Sequence, residues 1–237
     1  MRRDPLSHQS PITVSVSGVD GAGKSTQIEI LCNRLRQVGL RVQLLTFWED
    51  VALLTRFRQF ASVRLFNSET GVGAPHRPVN RRDKNVQSWY MTPVRLLLYS
   101  LDAMALRVVK TQVTVADVVV FDRYLYDELV NLPQNNPLAQ LCVRGLLKVI
   151  PHPDVACLLD ADPMQARERK PEYPLEFLQA SRASYLRLSK VAGLKVIPPG
   201  SVTEVSESML GKICETVPAL CGTFYQYVKL KLSRNVV

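Results

Sequence analysis

The residues best suited to do chemistry stand near the amino terminus, in the run Gly18 to Thr26. It reads Gly-Val-Asp-Gly-Ala-Gly-Lys-Ser-Thr, the spacing of a phosphate-binding loop, in which glycines let backbone N–H groups approach phosphate oxygens closely. Lys24 adds a full positive charge, and Ser25 offers a hydroxyl to Mg²⁺. The residues that we expect to bind nucleotide phosphates are Gly18, Asp20, Gly21, Ala22, Gly23, Lys24, Ser25 and Thr26.

The sequence on both sides of this loop supplies the context that the motif requires. An apolar run from Ile12 to Ser17 precedes it and is typical of a β-strand. After it, Ile28, Leu31 and Leu35 recur at helical spacing, and the pattern ends at Gly39. A strand, a glycine-rich turn and a helix N-terminus in this order favour a phosphate site over a chance match.

A second strand end carries two carboxylates. The β-type run from Arg41 to Phe47 is followed by Trp48, Glu49 and Asp50. Ligands collect outside the carboxyl ends of parallel strands, so both acids are candidates for contact with an acceptor or its Mg²⁺. Asp50 suits equally well as the cap of a helix that begins near Val51, and both interpretations stay open.

A third strand end combines a carboxylate with an arginine. The clearest buried strand, Val115 to Phe121, ends in Asp122-Arg123-Tyr124. Asp122 would be well placed to hold Mg²⁺ or its water shell. The forked guanidinium of Arg123 suits a phosphate.

Two further segments carry polar groups with two interpretations each. Arg95, Tyr99 and Asp102 share one face of an apolar helix over Val94 to Lys110, which indicates a polar cleft or a satisfied internal ion pair. Asp162-Pro163 is typical of a helix start.

The segment from Arg167 to Pro174 is dense in charge. It suits a hinged flap that brings Arg167, Arg169 or Lys170 over a transferring phosphoryl group, or else an ordinary exposed turn.

These strand ends need a parallel sheet to bring them together. Strand and helix patterns alternate along most of the chain, which predicts one α/β domain over 1–237 with right-handed crossovers. A basic insertion at 67–87 and a carboxyl-terminal extension at 218–237 interrupt the pattern. The insertion is interpreted as a solvated loop, or as a cationic segment that contacts phosphate or nucleic acid.

Composition narrows the class of protein. A hydrophobic content of 46% is enough for a large core, and a net charge of +9 implies an anionic partner such as a nucleotide, a nucleic acid or an acidic membrane. No apolar run reaches membrane-spanning length, so no membrane partner is expected. The five cysteines show no paired spacing, and buried thiols in a reducing cytoplasm are the simplest account of them.

Taken together, the phosphate loop, Asp122-Arg123-Tyr124 and the basic flap resemble the thymidylate kinase family over roughly residues 11–217. The resemblance implies a three-layer P-loop NTPase fold, with a five-stranded parallel sheet in the order 2-3-1-4-5 flanked by helices. It also implies a small lid at about 167–175. The implied activity is Mg²⁺-dependent transfer from ATP to dTMP in nucleotide biosynthesis, by a cytoplasmic homodimer.

Individual roles follow from the resemblance. Asp20 matches an acid that contacts the acceptor sugar, Phe47 an aromatic near the acceptor, and Arg123 the arginine that holds the monophosphate. Tyr99 falls where the family stacks an aromatic ring on the base. Gly21 stands where some members carry a catalytic arginine, and members without it supply a cation from the lid.

The sequence also departs from the family pattern on the acceptor side. Ala103 stands where the family has a base-reading arginine, and Asp127 stands where serine is common. Asp50 stands about where some members carry a second phosphate-binding arginine. Arg95 or the arginines of the 67–87 insertion could compensate. The acceptor-binding candidates are Asp20, Phe47, Glu49, Asp50, Arg95, Tyr99 and Arg123.

Three hypotheses therefore stand. The first is a nucleoside monophosphate kinase with dTMP as acceptor, and the second is a deoxynucleoside or other small-molecule kinase that would use Glu49 or Asp50 as a general base. The third is a nucleotide- or nucleic-acid-binding relative without transfer activity.

Overall fold

A computed structural model of the chain describes residues 10–52, 91–113, 115–132 and 136–222. The basic insertion and most of the carboxyl-terminal extension lie outside these residues. Within the described ranges, no helix is both long and apolar enough to cross a membrane.

The core of the fold is a five-stranded sheet in which every paired strand is parallel to its neighbour. The strands are β1 (Ile12–Gly18), β2 (Val42–Thr46), β3 (Val118–Asp122), β4 (Val155–Leu159) and β5 (Lys195–Ile197). Their order is β2-β3-β1-β4-β5, which confirms the predicted fold class.

The central strands are apolar because both faces of the sheet are covered. Six of the seven residues of β1 are buried, and β3 reads Val-Val-Val-Phe before Asp122. Val16 pairs with Asp122, and Gly18 pairs with Leu159. This register brings the phosphate loop and the charged end of β3 to one edge of the sheet.

Helices cover both faces of the sheet and complete three layers. They are α1 (Lys24–Gln37), α2 (Met91–Gln112), α3 (Leu125–Leu129), α4 (Pro137–Val149), α5 (Pro163–Arg169), α6 (Leu175–Ala192) and α7 (Val202–Thr216). The apolar faces of α1 and α7 form one buried cluster with the sheet. Side chains from α2, α3, α4 and α6 form the other.

Local sequence signals fix where the elements near the edge begin. Asp162 caps α5, accepting hydrogen bonds from the backbone N–H groups of Met164 at 3.0 Å and Gln165 at 3.1 Å, with Pro163 in the first turn. The helix start predicted at Asp162-Pro163 is therefore confirmed. After β2 the chain makes one π-helical turn, Phe47–Val51.

The five cysteines are free thiols, and the predicted burial holds for only two of them. Cys32 and Cys157 are buried, Cys142 and Cys214 half-buried, and Cys221 exposed. Burial raises the pKa of Cys157 to about 12, so this thiol is inert as a nucleophile.

Candidate active site

The phosphate loop joins β1 to α1 through glycines with left-handed backbones. Gly21 and Gly23 have φ angles of +85° and +82°, and Gly23 is the N-cap of α1. Residues other than glycine adopt this conformation only at a cost in free energy. The loop therefore has the left-handed glycine conformations that the spacing of its glycines predicts.

Two glycines also permit close backbone contacts. A Cβ on Gly18 would lie 2.6 Å from the carbonyl oxygen of Leu159. A Cβ on Gly21 would lie 2.2 Å from the carbonyl oxygen of Ala166, in α5. Both distances are shorter than real Cβ contacts, so neither position accepts a side chain without movement of the neighbouring backbone.

Lys24 is buried beneath the loop. Its Nζ donates to the carbonyl oxygens of Gly18 and Val19, each at 2.8 Å, and lies 3.8 Å from Oδ1 of Asp20. Burial, followed by the charge of Arg123, lowers the pKa of Lys24 to about 8, although nearby carboxylates oppose this. An anion that binds next to Lys24 would therefore stabilise its charged form.

Arg123 follows β3 with an unusual backbone. Its φ of +67° is the one positive value among the described residues other than glycine. Nη2 of Arg123 donates to Oδ1 of Asp20 in a short hydrogen bond, and Nη1 lies 3.6 Å from Oδ1 of Asp127. Burial alone would lower the pKa of Arg123, but the Asp20 and Asp127 carboxylates outweigh it and hold that pKa above its usual value.

The loop and Arg123 line one pocket at the carboxyl ends of the strands. The pocket is narrow and partly open to solvent. Its lining residues come from the phosphate loop, the turn after β2, the segment after β3, and α6. They are Gly18, Val19, Asp20, Trp48, Arg123, Asp127, Glu128, Val130, Asn131, Phe177, Leu178, Ser181 and Tyr185.

Several lining residues were not among the sequence candidates. Trp48 lines the pocket, whereas Phe47 is fully buried in the core and meets Trp48 edge to face at 5.8 Å between ring centroids. Phe177 and Tyr185 come from α6. A tyrosine on an apolar helix face needs a partner for its hydroxyl, and that signal would have singled out Tyr185.

The remaining acceptor-side candidates lie away from this lining, as far as the described residues go. Glu49 and Asp50 are exposed, and Oδ2 of Asp50 accepts a hydrogen bond from the Thr46 backbone at 2.6 Å. This bond ties Asp50 to the turn after β2. A role for either carboxylate in acceptor binding stays a prediction.

The polar face of α2 also lies outside the pocket lining. Nη1 of Arg95 donates to the carbonyl oxygen of Asn131 at 3.1 Å, so Arg95 reaches the pocket wall through the backbone of a lining residue. Tyr99 and Asp102 are buried, and Ala103 packs in the core beside Tyr99.

The candidate metal ligands suit an ion that arrives with a nucleotide. The described residues contain no group of three or more His, Cys, Asp or Glu side chains that could hold a metal by themselves. Ser25 and Thr26 are exposed at the start of α1, and Asp122 is half-buried at the end of β3. Burial raises the pKa of Asp122, against the opposing charges of Arg123 and Lys24. Nucleotide-bound Mg²⁺ takes only one or two protein oxygens, and Ser25 and Asp122 fit that donor set.

The lid cations stand at the end of α5, directly after the contact with Gly21. Arg167 is half-buried and Arg169 exposed, and neither forms an ion pair with a residue that the structure describes. Nζ of Lys170 lies 3.0 Å from Oε1 of Glu172, whose side chain is buried. Lys170 therefore already has an ion-pair partner, whereas Arg167 and Arg169 have none among the described residues and could contact a ligand.

Comparison with known proteins agrees with this architecture. No protein-family model matches the sequence. Among solved structures, the chain is similar to the thymidylate kinase from Ehrlichia chaffeensis, with a TM-score of 0.55 at 16% sequence identity. The match covers 86% of this chain and 98% of that one. The likeness shows the fold alone, a five-stranded parallel sheet flanked by helices.

Proposed function

We propose that the protein transfers the γ-phosphoryl group of ATP, as its Mg²⁺ complex, to a nucleoside monophosphate, with dTMP as the first acceptor to test. One observation carries the proposal: the phosphate loop and Arg123 line the same pocket at the carboxyl ends of the strands. A donor site and an anion-binding guanidinium in one pocket suit phosphoryl transfer between two phosphates. The structural likeness to a thymidylate kinase supports the same choice.

The chain's own residues would act by positioning and by charge. Backbone N–H groups at Gly21 and Gly23 would hold the donor phosphates, and Lys24 would turn from the carbonyls of Gly18 and Val19 toward them. Arg123 would orient the acceptor phosphate, while Arg167 and Arg169 would stabilise negative charge on the transferred group. Mg²⁺ would offset the charge on the ATP phosphates, with Ser25 and Asp122 as its protein ligands.

An acceptor phosphate needs no side-chain base, because it is already an anion. Asp20 would then contact the acceptor sugar, as the family resemblance implies. A homodimer and a cytoplasmic location are parts of the same proposal.

A second candidate function is favoured by the charge of the pocket. Both amino groups of Arg123 face a carboxylate. The pocket lining contains three carboxylates, those of Asp20, Asp127 and Glu128, and one arginine. Such a pocket would also accept an uncharged alcohol, such as a deoxynucleoside. That reaction needs a general base, and Glu49 is the better candidate because Asp50 is bound to the Thr46 backbone.

A product assay separates these functions. Purified protein with Mg²⁺-ATP is given dTMP, dUMP, CMP or thymidine, and the products are resolved by chromatography. Diphosphate formation that Lys24→Ala abolishes supports the proposal, whereas turnover of thymidine alone favours the second candidate. ATP binding without turnover, with salt-dependent binding of an oligonucleotide, would favour a non-catalytic nucleic-acid-binding protein.

A further inference from the structure

Asp127 is a buried carboxylate with more partners than a helix start requires. Its side chain belongs to the first turn of α3, and the residue is only 5% exposed. Oδ2 accepts hydrogen bonds from Oγ of Ser17 at 2.6 Å and from the backbone N–H of Tyr124 at 3.0 Å. Oδ1 accepts a hydrogen bond from the hydroxyl of Tyr185 at 2.7 Å.

These partners come from three elements that meet at the pocket. Ser17 immediately precedes Gly18 on β1, so its bond fixes the start of the phosphate loop. Tyr185 lies on α6, which follows the segment 167–174, and the residue lines the pocket. Burial and the neighbouring Asp127 carboxylate raise the pKa of Tyr185 well above its usual value, so this hydroxyl stays protonated and donates.

Arg123 is the charged group that this network faces. Its left-handed backbone, at φ +67°, is strained for a residue with a side chain and persists only when its surroundings hold it. The guanidinium lies between two carboxylates, with Nη2 on Asp20 and Nη1 3.6 Å from Oδ1 of Asp127. At that separation Asp127 acts on Arg123 mainly through charge.

The two carboxylates belong to different parts of the pocket. The backbone N–H of Tyr124 and two hydroxyl groups bind the Asp127 side chain, and Asp20 lies in the phosphate loop, where its Oδ1 is 3.8 Å from Lys24 Nζ. A bound nucleotide would draw Lys24 away and change the field at Asp20. Asp127 would then be the fixed negative charge beside the guanidinium.

We propose that Asp127 is a positioning residue, whose charge keeps the Arg123 guanidinium aimed into the acceptor side of the pocket and ties that orientation to β1 and α6. The inference deepens the proposed function and rests on it for the identity of the acceptor. The orientation of Arg123 itself does not depend on which acceptor is correct.

A matched pair of variants separates this role from a structural one. Asp127→Asn keeps the shape of the side chain and removes its charge. Asp160→Asn is the control, because Asp160 forms a bidentate ion pair with Arg182 on α6, at 2.6 and 2.7 Å, and the pair does not involve Arg123. Both variants weaken the attachment of α6, and thermal unfolding measures that loss in each.

The first measurement is the NMR signal of the Arg123 guanidinium in protein with isotope-labelled arginine, assigned by its loss in Arg123→Ala. We expect the Arg123 signal to exchange with solvent faster in Asp127→Asn than in the wild type and in Asp160→Asn, although the hydrogen bond to Asp20 remains. Asp127→Ser also removes the charge, in a smaller side chain, and gives the same result if Asp127→Asn does not fold. Exchange as slow as in the wild type in the uncharged variants would overturn the proposal.

The second measurement is the acceptor KM. With the monophosphate that the wild type uses, Asp127→Asn should raise KM roughly tenfold, the size of one charge-assisted interaction. The Kd of ATP should stay near that of the wild type. In an Arg123→Ala background, Asp127→Asn should change KM by less than about twofold, because its effect passes through the arginine.

The outcomes distinguish this proposal from the proposed function. An unchanged or lowered KM in Asp127→Asn would show that Asp127 only competes with the acceptor for Arg123, and would overturn the inference. A full effect in the Arg123→Ala background would overturn it as well. If the wild type uses and binds no monophosphate, the proposed function fails, and the NMR measurement still decides the role of Asp127.

Discussion

Gly21 of the phosphate loop lies against Ala166 of α5 so closely that a Cβ on Gly21 would stand 2.2 Å from the Ala166 carbonyl oxygen. Ala166 immediately precedes Arg167, the first of the lid cations. The phosphate loop and the last turn of α5, where the proposed lid begins, are thus in direct backbone contact. A glycine at this position is what permits that approach, which gives a structural reason for the absence of an arginine in the loop.

Gly21→Ala should destabilise the protein and slow phosphoryl transfer. The left-handed backbone alone costs about 1–2 kcal/mol for a residue with a side chain, and the new methyl group must also push α5 away. The displaced helix moves Arg167 and Arg169 from the loop, so kcat should fall more than the affinity for ATP. Thermal unfolding and steady-state kinetics measure both effects.

Gly145→Ala is the matched control for that substitution. Gly145 lies within α4, and a Cβ there would meet no atom within 4 Å. Alanine in a helix interior should therefore stabilise the protein by about 0.5–1 kcal/mol and leave kcat unchanged. Equal stability of Gly21→Ala and the wild type would contradict the close contact.

The affinity for ATP should fall as pH rises above about 8. Lys24 has its pKa lowered to about 8 by burial, so the free protein loses this charge above that value. The phosphates of ATP favour the charged form, and binding must then take up a proton. The Kd should rise by up to about tenfold per pH unit. Calorimetry in buffers of different ionisation enthalpy measures the proton uptake directly.

Lys24→Arg tests whether this lysine is the group responsible. Arginine keeps its charge throughout the range, so any affinity that the variant retains should not depend on pH between about 7 and 9.5. The lowered pKa of Lys24 also makes the folding stability of the free wild type depend on pH. Its contribution to the free energy of unfolding is fully present above pH 10.5, the ordinary pKa of lysine, and is lost as pH falls through about 8. An equal fall of affinity with pH in Lys24→Arg would assign the effect to another group.

The position and backbone of the phosphate loop could be predicted from the sequence because its signal is local. Nine consecutive residues, Gly18 to Thr26, contain the loop, and apolar patterns on both sides define the strand and the helix that carry it. The sheet order also followed, since it came with the family resemblance that the loop and Asp122-Arg123-Tyr124 carried. The structure confirms that order.

The rest of the pocket wall could not be predicted in the same way, since it depends on contacts between distant segments. Asp127 and Tyr185 are 58 residues apart and meet through one hydrogen bond. Phe47 and Trp48 are adjacent, and the turn after β2 decides which of them faces the pocket. Neither relationship leaves a periodic signal in the sequence.

Of the three lid cations, the two arginines should matter more than Lys170. Lys170 is paired with Glu172 at 3.0 Å, whereas Arg167 and Arg169 have no ion-pair partner among the described residues. Replacing the cation that meets the transferred group should lower kcat by about 10³-fold or more. We expect that loss in Arg167→Ala or Arg169→Ala, measured by single-turnover kinetics.

Lys190→Ala is the control for the loss of one positive charge. Lys190 is exposed in the last turn of α6, away from the pocket lining, and its removal should leave kcat unchanged. A loss in Lys170→Ala as large as in the arginine variants would show that the Glu172 ion pair opens during the reaction. Full activity in all three lid variants would exclude a lid cation.

A homodimer, as the family resemblance implies, should use the outer face of α2. Val94, Leu97, Met104 and Val108 recur there at helical spacing, and Leu97 and Met104 are 63% and 62% exposed. Water contact with such a stripe is unfavourable, and a second copy would remove it. Light scattering after size exclusion should give a dimeric mass for the wild type and a monomeric mass for Leu97→Glu with Met104→Glu.

The control variant is Val202→Glu, at a similarly exposed apolar position on α7. It should remain dimeric, because Val202 lies in the opposite helical layer. A monomeric wild type would remove the dimer from the proposal.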